Sequence, residues 1–421
     1  MVKLIKVFCS KFNDFIVKFD DFNIVKIIKR SLLTLFPFVL LESILDWIDN
    51  SFLNPNGFYY QIFHFHLPLF FANSLHDLVI ILNILISIAA AYLVGHFYIE
   101  NYVKDDFIVG MTSVVAYLIL NYDYRSFDNL FIFENFGLRG LVLAFITGIF
   151  VGFVFKKFVY KDTTDVSRLL INFQKLFFGV FLIVIFFIFI GWSVSLVTSR
   201  GILGLLNQGL STLILGKNTT NLLLIILLAT IGQLLMFLGI YNPVVQPRMI
   251  SYSTFTNVNI KFIHMHRILS GMPYPITLHT IYDAFGNIGG VGGCLALMIA
   301  ILIVSNSKRE KNVSYWGILP ALSNSANIGF VGLPLFFNIN YILPTLIVPI
   351  FNMLVGASLI NLHIIPAIGY QIPRTTPGIL QNFVGTGGNW LSLIFSILIF
   401  TVDIFIFIPF VKKENIKYKT L

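Results

Sequence analysis

The sequence predicts an all-α integral membrane protein of about ten transmembrane helices plus re-entrant hairpins, with both termini on the cytoplasmic side. Three observations carry this. Of 421 residues, 57% are hydrophobic and 11% charged, whereas a soluble domain carries about 25% charged residues. Apolar runs near the ~20 residues that cross a bilayer recur along the chain. Basic residues fall between those runs and form no contiguous patch, so positive-inside topology accounts for the net charge of +9 and nucleic-acid binding does not.

The chain begins with a basic arm, residues 1–30. Lys3, Lys6, Lys11, Lys18, Lys26, Lys29 and Arg30 interrupt every apolar run, so a signal peptide is not expected. Leu4, Val7, Phe8, Phe12, Phe15 and Ile16 recur at helical spacing, which fits an amphipathic helix on the cytoplasmic face or a plain membrane-flanking arm. Spans follow at about 31–48, 77–98, 107–122, 138–156 and 174–197. Residues 49–75 hold no Lys or Arg and are placed outside; Lys104, Lys156, Lys157, Lys161, Arg168 and Lys175 place their loops inside. The first five spans thus occupy 31–200. An external connection covers 201–219, and a second half covers 220–410, opening with a span at 220–241.

That half is less regular. Arg248, Lys261 and Arg267 lie inside, as do Lys308, Arg309 and Lys311, with one clean span at about 288–304 between them. Part of 268–287 must therefore cross or re-enter. Three apolar stretches, about 317–337, 341–363 and 389–410, precede the basic tail 411–421. Two cytoplasmic ends require an even number of crossings, so one stretch is re-entrant. Ser323–Asn338 is the expected one: it carries three Asn, two Ser, two Gly and a Pro in apolar surroundings. Irregular polar chain survives at membrane depth only where it lines a cavity or is buried in protein, and broken helices hold the substrates of secondary transporters.

The chemistry-bearing residues are few. Gly289, Gly290, Gly292 and Gly293 form NIGGVGGC, which permits close backbone approach to a ligand or close helix packing. Without a GK[ST] it is no phosphate loop. Between Tyr241 and Pro409 the acidic residues are Asp283, Glu310 and Asp403. Intramembrane carboxylates are functional hypotheses by default. Asp283, in IYDAFGN, is the candidate for a buried polar role, with a helix N-cap or turn as its bland alternative. Glu310 reads as a solvated loop charge and Asp403 as interfacial. His279 and His363 read as isolated structural histidines, and His264 and His266, two apart, do not share a helix face. Cys9 and Cys294 support neither a disulfide nor a zinc site. No metal, cofactor or catalytic motif is expected.

Six landmarks in order over the last 200 residues carry a resemblance: the Ile288–Gly292 cluster, the basic Lys308–Lys311, Gly332–Pro334 with Asn338, Pro373–Pro377, Phe383–Trp390, and Pro409–Lys412. The chain resembles the IIC sugar permeases of the phosphotransferase system (PTS), in the lactose/cellobiose/diacetylchitobiose branch. The resemblance implies a homodimer joined through the first five spans. The last five spans with their hairpins would pass one sugar across the membrane of a bacterial cell. A separate IIB subunit, charged through IIA, would then phosphorylate it.

The family binds sugar through polar groups that include a Glu and a His, and here both positions depart. The glutamate of FNINEP-x-x-FGLP aligns with Asn327 and the motif proline with Ile328. The histidine of FGIHG is Tyr241, followed by Asn242. Arg374 stands at the tryptophan of P-W-TTP, and Val291 and Cys294 stand at the serine and threonine of GGSGAT. Asn324, Asn327, Tyr241, Asn242, Asp283, Gly289 and Gly290 are therefore the expected substrate-binding residues, with Asp283 the surrogate carboxylate. A buried carboxylate can accept two hydroxyl bonds and help activate the hydroxyl to be phosphorylated; a neutral amide cannot. Two readings follow: a permease for an altered sugar, or a relative that kept the fold and serves as a receptor, regulator or scaffold. An unrelated channel or carrier is the remaining class.

Overall fold

The computed structural model describes residues 21–64, 68–100, 107–125, 130–159, 173–206, 220–240, 254–333 and 335–419, with a few isolated positions between them. The N-terminal amphipathic stretch, most of 201–219, and both Tyr241 and Asn242 lie outside the described residues. The described chain is helical throughout, with only isolated bridges in place of strands. Among the described residues six helices are long and apolar enough to cross a membrane, at Leu69–Glu100, Gly137–Phe158, Lys175–Leu206, His279–Val304, Ile339–Asn361 and Trp390–Asn415. Shorter apolar helices occupy Phe107–Leu120 and Leu222–Phe237.

Two compact units divide the chain: residues 1–38 with 80–209, and residues 39–79 with 210–421. Helix α1 (Asn23–Ile48) passes from the first to the second just after Pro37. After α2 (Phe58–Phe63), helix α3 (Leu69–Glu100) returns at Ile80.

In the first unit, α4 (Phe107–Leu120) packs on α5 (Leu141–Val154) and on α6 (Phe173–Val197). Small residues set the approach of α3 to α5: a Cβ on Gly148 would stand 2.9 Å from the backbone nitrogen of Gly95. Such contacts suit helices that have no water to expel and associate by close packing. At one end of α1, Arg30 forks onto Glu100 at 2.6 and 3.3 Å and lies 4.0 Å from the centre of the Phe97 ring.

The second unit is built from α7 (Leu222–Phe237), α8 (Thr254–His266), a π-helical segment His279–Gly286, α9 (Cys294–Val304), α10 (Lys308–Leu322), α11 (Asn327–Gly332), α12 (Ile339–Asn361), α13 (Gln381–Gly385) and α14 (Trp390–Lys419). Helix α9 lies against α10 and α14; α12 lies against α7, α14 and the π-segment. Polar side chains start several of these helices as caps. Asn221 Oδ1 accepts from Leu223 and Leu224 N–H, Ser307 Oγ from Glu310, and Asn338 Oδ1 from Asn340.

The apolar stretch 317–337 is interrupted inside the Ser323–Asn338 segment: α10 ends at Leu322, and the short α11 follows a break at Ser323–Ala326. Two other expectations are revised. His363, expected to be an isolated structural histidine, caps α12 in the left-handed conformation (φ +57°), with Ile364 N–H reaching back to Leu359 carbonyl at 3.0 Å. Asp403, expected at the interface, is fully buried. On a helix that packs along α9 and α12, its position is decided by which face the neighbours cover, which apolar content alone does not reveal.

Candidate functional site

The polar break between α10 and α11 begins as a helix cap. Ser325 N–H bonds Pro320 carbonyl at 3.0 Å and Asn324 N–H bonds Ala321 carbonyl at 3.0 Å, which is a Schellman ending with Asn324 in the left-handed position, φ +65°. Asparagine tolerates that conformation because its short polar side chain can bond locally. Here the side chain reaches further. Its Oδ1 accepts from the backbone N–H of Gly290 at 3.0 Å, and its Nδ2 donates to the carbonyl of Thr376 at 3.2 Å.

One amide thus joins three stretches that the sequence singled out separately: the glycine cluster, the Ser323–Asn338 segment and the Pro373–Pro377 turn. Gly289 and Gly290 have φ of +71° and +88°. Space at the joint excludes side chains, since a Cβ on Gly378 would fall 2.3 Å from Gly289 N and 2.5 Å from Asn324 Oδ1. The neighbouring Ser323 Oγ accepts from Trp47 Nε1 at 2.8 Å. The same turn is held from its other side, where Phe58 N–H donates to Arg374 carbonyl and Arg374 N–H to Asn56 carbonyl, at 2.9 and 2.8 Å. Arg374 therefore acts through its backbone in a parallel bridge with Gly57.

Of the expected site residues, the structure brings together Asn324, Gly289 and Gly290, and it spends both ends of the Asn324 amide on backbone. Asn327, three residues on, opens α11 half-buried, and its side-chain amide makes no hydrogen bond to a described residue. Asp283 sits inside the π-segment, so it is neither an N-cap nor a turn residue. Its Oδ2 lies 2.8 Å from His279 Nδ1, one turn back, and both side chains are mostly buried. His279, read from sequence as isolated, is the partner of this carboxylate. The spacing of four, which puts both side chains on one face of a helical turn, is a signal present in the sequence.

Sequence reasoning also missed a line of acids along α1 and the π-helical turn Asp49–Leu53 that continues it. Glu42, Asp46 and Asp49 follow at i, i+4 and i+7, a spacing that places them along one helix face. Glu42 is 2% exposed and accepts from Ser43 Oγ at 3.2 Å; Asp46 Oδ1 accepts from Asn50 Nδ2 at 2.8 Å; Asp49 Oδ2 lies 2.8 Å from His76 Nδ1. Gln233 of α7 is a third omission. It is buried, both of its amide atoms lack a partner, and a Cβ on Gly292 would stand 3.5 Å from its Oε1. Buried polar groups without partners mark places where a ligand, water or ion completes the bonding. No group of three or more His, Cys, Asp or Glu able to hold a metal occurs among the described residues. An apolar cavity of about 410 Å³ in the first unit, between Val115, Leu118, Ile119, Phe131 and Ile188, involves none of these groups.

The fold and the joint define a multi-pass membrane protein whose second unit holds neutral amides, carboxylate–histidine pairs and a glycine-lined backbone. Comparison with known proteins narrows the class. No family model matches the chain. It is 30% identical over 134 residues to the PTS system cellobiose-specific EIIC component of Lactococcus lactis, which covers 32% of this chain and 27% of that protein. To the PTS system lactose-specific EIICB component of Streptococcus mutans it is 25% identical over 308 residues, 72% of this chain and 53% of that one. The corresponding Staphylococcus epidermidis protein is 26% identical over 177 residues, 42% and 30% of the two chains. The matched stretches thus span about a quarter to a half of these relatives. A crystal structure of the IIC component from an N,N'-diacetylchitobiose-specific phosphotransferase system aligns over 96% of both chains at 20% identity, with a TM-score of 0.42. Over these stretches the chain is similar to cellobiose- and lactose-specific components of phosphotransferase systems.

Proposed function

We propose that this chain is the membrane-embedded sugar permease, the IIC component, of a phosphoenolpyruvate-dependent phosphotransferase system in a bacterial cell membrane. Its cargo is a sugar of the oligosaccharide or glycoside type, delivered to a separate IIB subunit for phosphorylation. The single observation that carries this reading is the Asn324 joint, because it fastens to one another the glycine cluster, the polar break and the TTP turn through which the chain resembles the family.

In this reading the chain crosses the membrane about ten times with both ends cytoplasmic. It forms a homodimer through its first five spans. Asn324, Gly289 and Gly290 frame the site, and Asn327, Asp283, Tyr241 and Asn242 bind sugar hydroxyls. Asp283, oriented by His279, stands in for the carboxylate missing at Asn327. The phosphoryl transfer itself is positioning and charge stabilisation supplied by IIB. The test is a panel of mono- and disaccharides screened for thermal stabilisation of the purified chain, followed by uptake in vesicles with a cognate IIB. Stabilisation by at least one sugar and IIB-dependent uptake are expected; neither occurring overturns the proposal. Asn327 favours one alternative, a relative that kept the fold as a receptor, regulator or scaffold, and sugar stabilisation without uptake would select it.

A further inference from the structure

Helices α12 and α14 are tied by two amide–carboxyl contacts. Asn340 Nδ2 donates to Glu414 Oε2 at 2.8 Å, and Asn352 Nδ2 donates to Asp403 Oδ2 at 2.9 Å. The contacts are 12 residues apart on α12 (340 to 352) and 11 apart in the opposite direction on α14 (414 to 403), so they are rungs of one antiparallel pair, separated by about 18 Å at 1.5 Å per residue. The outer rung lies beside the basic end of α14. The inner one is closed off: Asn352 is 1% exposed and Asp403 0%. It is also incomplete. Asn352 Oδ1 and Asp403 Oδ1, one oxygen on each member of the same bonded pair, are both buried without a hydrogen-bond partner.

Two acceptors with no donor cannot stay so in a span, where each unsatisfied group costs several kcal/mol. Nor, among the described residues, does a cation pair with the carboxylate. The elements packed most extensively on α14 are α9, α12, α13 and Gly378–Leu380. Their titratable side chains are Cys294 on α9 and Tyr341 on α12, and none of them carries Lys, Arg or His. On α14 itself the first base is Lys412, nine residues from Asp403.

We infer that Asp403 is a proton-binding site inside the helix pair. Its Oδ1 carries a hydrogen taken from solvent as the chain folds and donates it to Asn352 Oδ1, while Asn352 Nδ2 donates to Oδ2. The neutral acid and the amide then close a ring of two hydrogen bonds, and no acceptor is left over. One proton satisfies both orphaned oxygens, and the rung fixes the register of α12 on α14 without placing a charge between them.

The experiment is infrared spectroscopy of the full-length protein in lipid vesicles at neutral pH, as the difference between wild type and Asp403→Asn. A protonated-carboxyl C=O stretch in the wild type, absent from the variant, is expected, and it should shift to higher frequency in Asn352→Leu, where the bonded amide is gone. Asp403→Asn, a neutral isostere, should keep the wild-type melting temperature, whereas Asp403→Leu should lower it. The exchanged double variant Asn352→Asp/Asp403→Asn should restore both band and melting temperature. The inference is overturned by a difference spectrum showing only carboxylate stretches at neutral pH. It is equally overturned if Asp403→Asn melts as low as Asp403→Leu, or if sodium in place of choline raises the wild-type melting temperature and not that of Asp403→Asn, which would put a metal cation on these oxygens.

Discussion

Replacing Asn324 with alanine should loosen the joint of the second unit by an amount that can be worked out in parts. The substitution removes two hydrogen bonds, to Gly290 N–H and from Nδ2 to Thr376 carbonyl. Gly290 N–H retains a second acceptor, Asn287 carbonyl at 3.1 Å, so its loss costs about 0.5 kcal/mol, the low end for a net hydrogen bond. Thr376 carbonyl loses the only side-chain donor assigned to it, and an unsatisfied, part-buried acceptor costs about 1–2 kcal/mol. Alanine must also adopt the left-handed conformation at φ +65°, at about 1 kcal/mol. The total is about 3 kcal/mol. Asn324→Gly loses the same bonds without the backbone cost and should fall about 1 kcal/mol short of that. The measurement is equilibrium unfolding in mixed micelles, with Asn324→Asp as a third variant that keeps the acceptor and loses the donor. Alanine matching the wild type within about 0.5 kcal/mol, or glycine proving less stable than alanine, would refute the account of the joint.

Four further outcomes follow from the same geometry. Gly378→Ala places a methyl 2.3 Å from Gly289 N and 2.5 Å from Asn324 Oδ1; the Ile288–Gly289 backbone cannot yield and the Asn324 amide is held by its bonds, so a loss of about 2–3 kcal/mol is expected, read as a drop in melting temperature, and a neutral result would mean the turn is free to move. Asp283→Asn should reduce sugar binding by roughly one to two decades, the worth of a hydrogen bond to a charged group; unchanged affinity in calorimetry removes Asp283 from the site. Asn327→Glu, placed where the amide has no bonded neighbour, should raise affinity for a disaccharide by about tenfold, and no gain points to a pocket reshaped beyond one residue. Arg30→Met should cost no more than about 1 kcal/mol in chemical unfolding, because the Arg30–Glu100 pair is largely exposed, with side chains 57% and 38% accessible.

Much of the architecture was written locally. Apolar run length and the spacing of Lys and Arg are properties of single segments, so the all-helical, membrane-type class could be read from them. The broken segment at Ser323–Asn338 was legible for the same reason: polar and glycine residues inside an apolar run announce themselves. The pairing of His279 with Asp283 was within reach at i, i+4, and so was the Glu42, Asp46, Asp49 line, because these spacings put side chains on one helix face.

What the sequence by itself determined is therefore that the chain is all-helical with helices apolar enough to cross a membrane, and which polar residues stand out along it. Tertiary structure alone decided what those residues touch. Nothing within a segment says that Asn324 bonds Gly290, 34 positions away, and Thr376, 52 positions away, or that Asp403 is sealed against Asn352 when it could have sat at an interface. A hydrogen bond between distant segments depends on which helix faces meet, and that is settled by packing over the whole unit; a local pattern carries the donors and acceptors but not their partners.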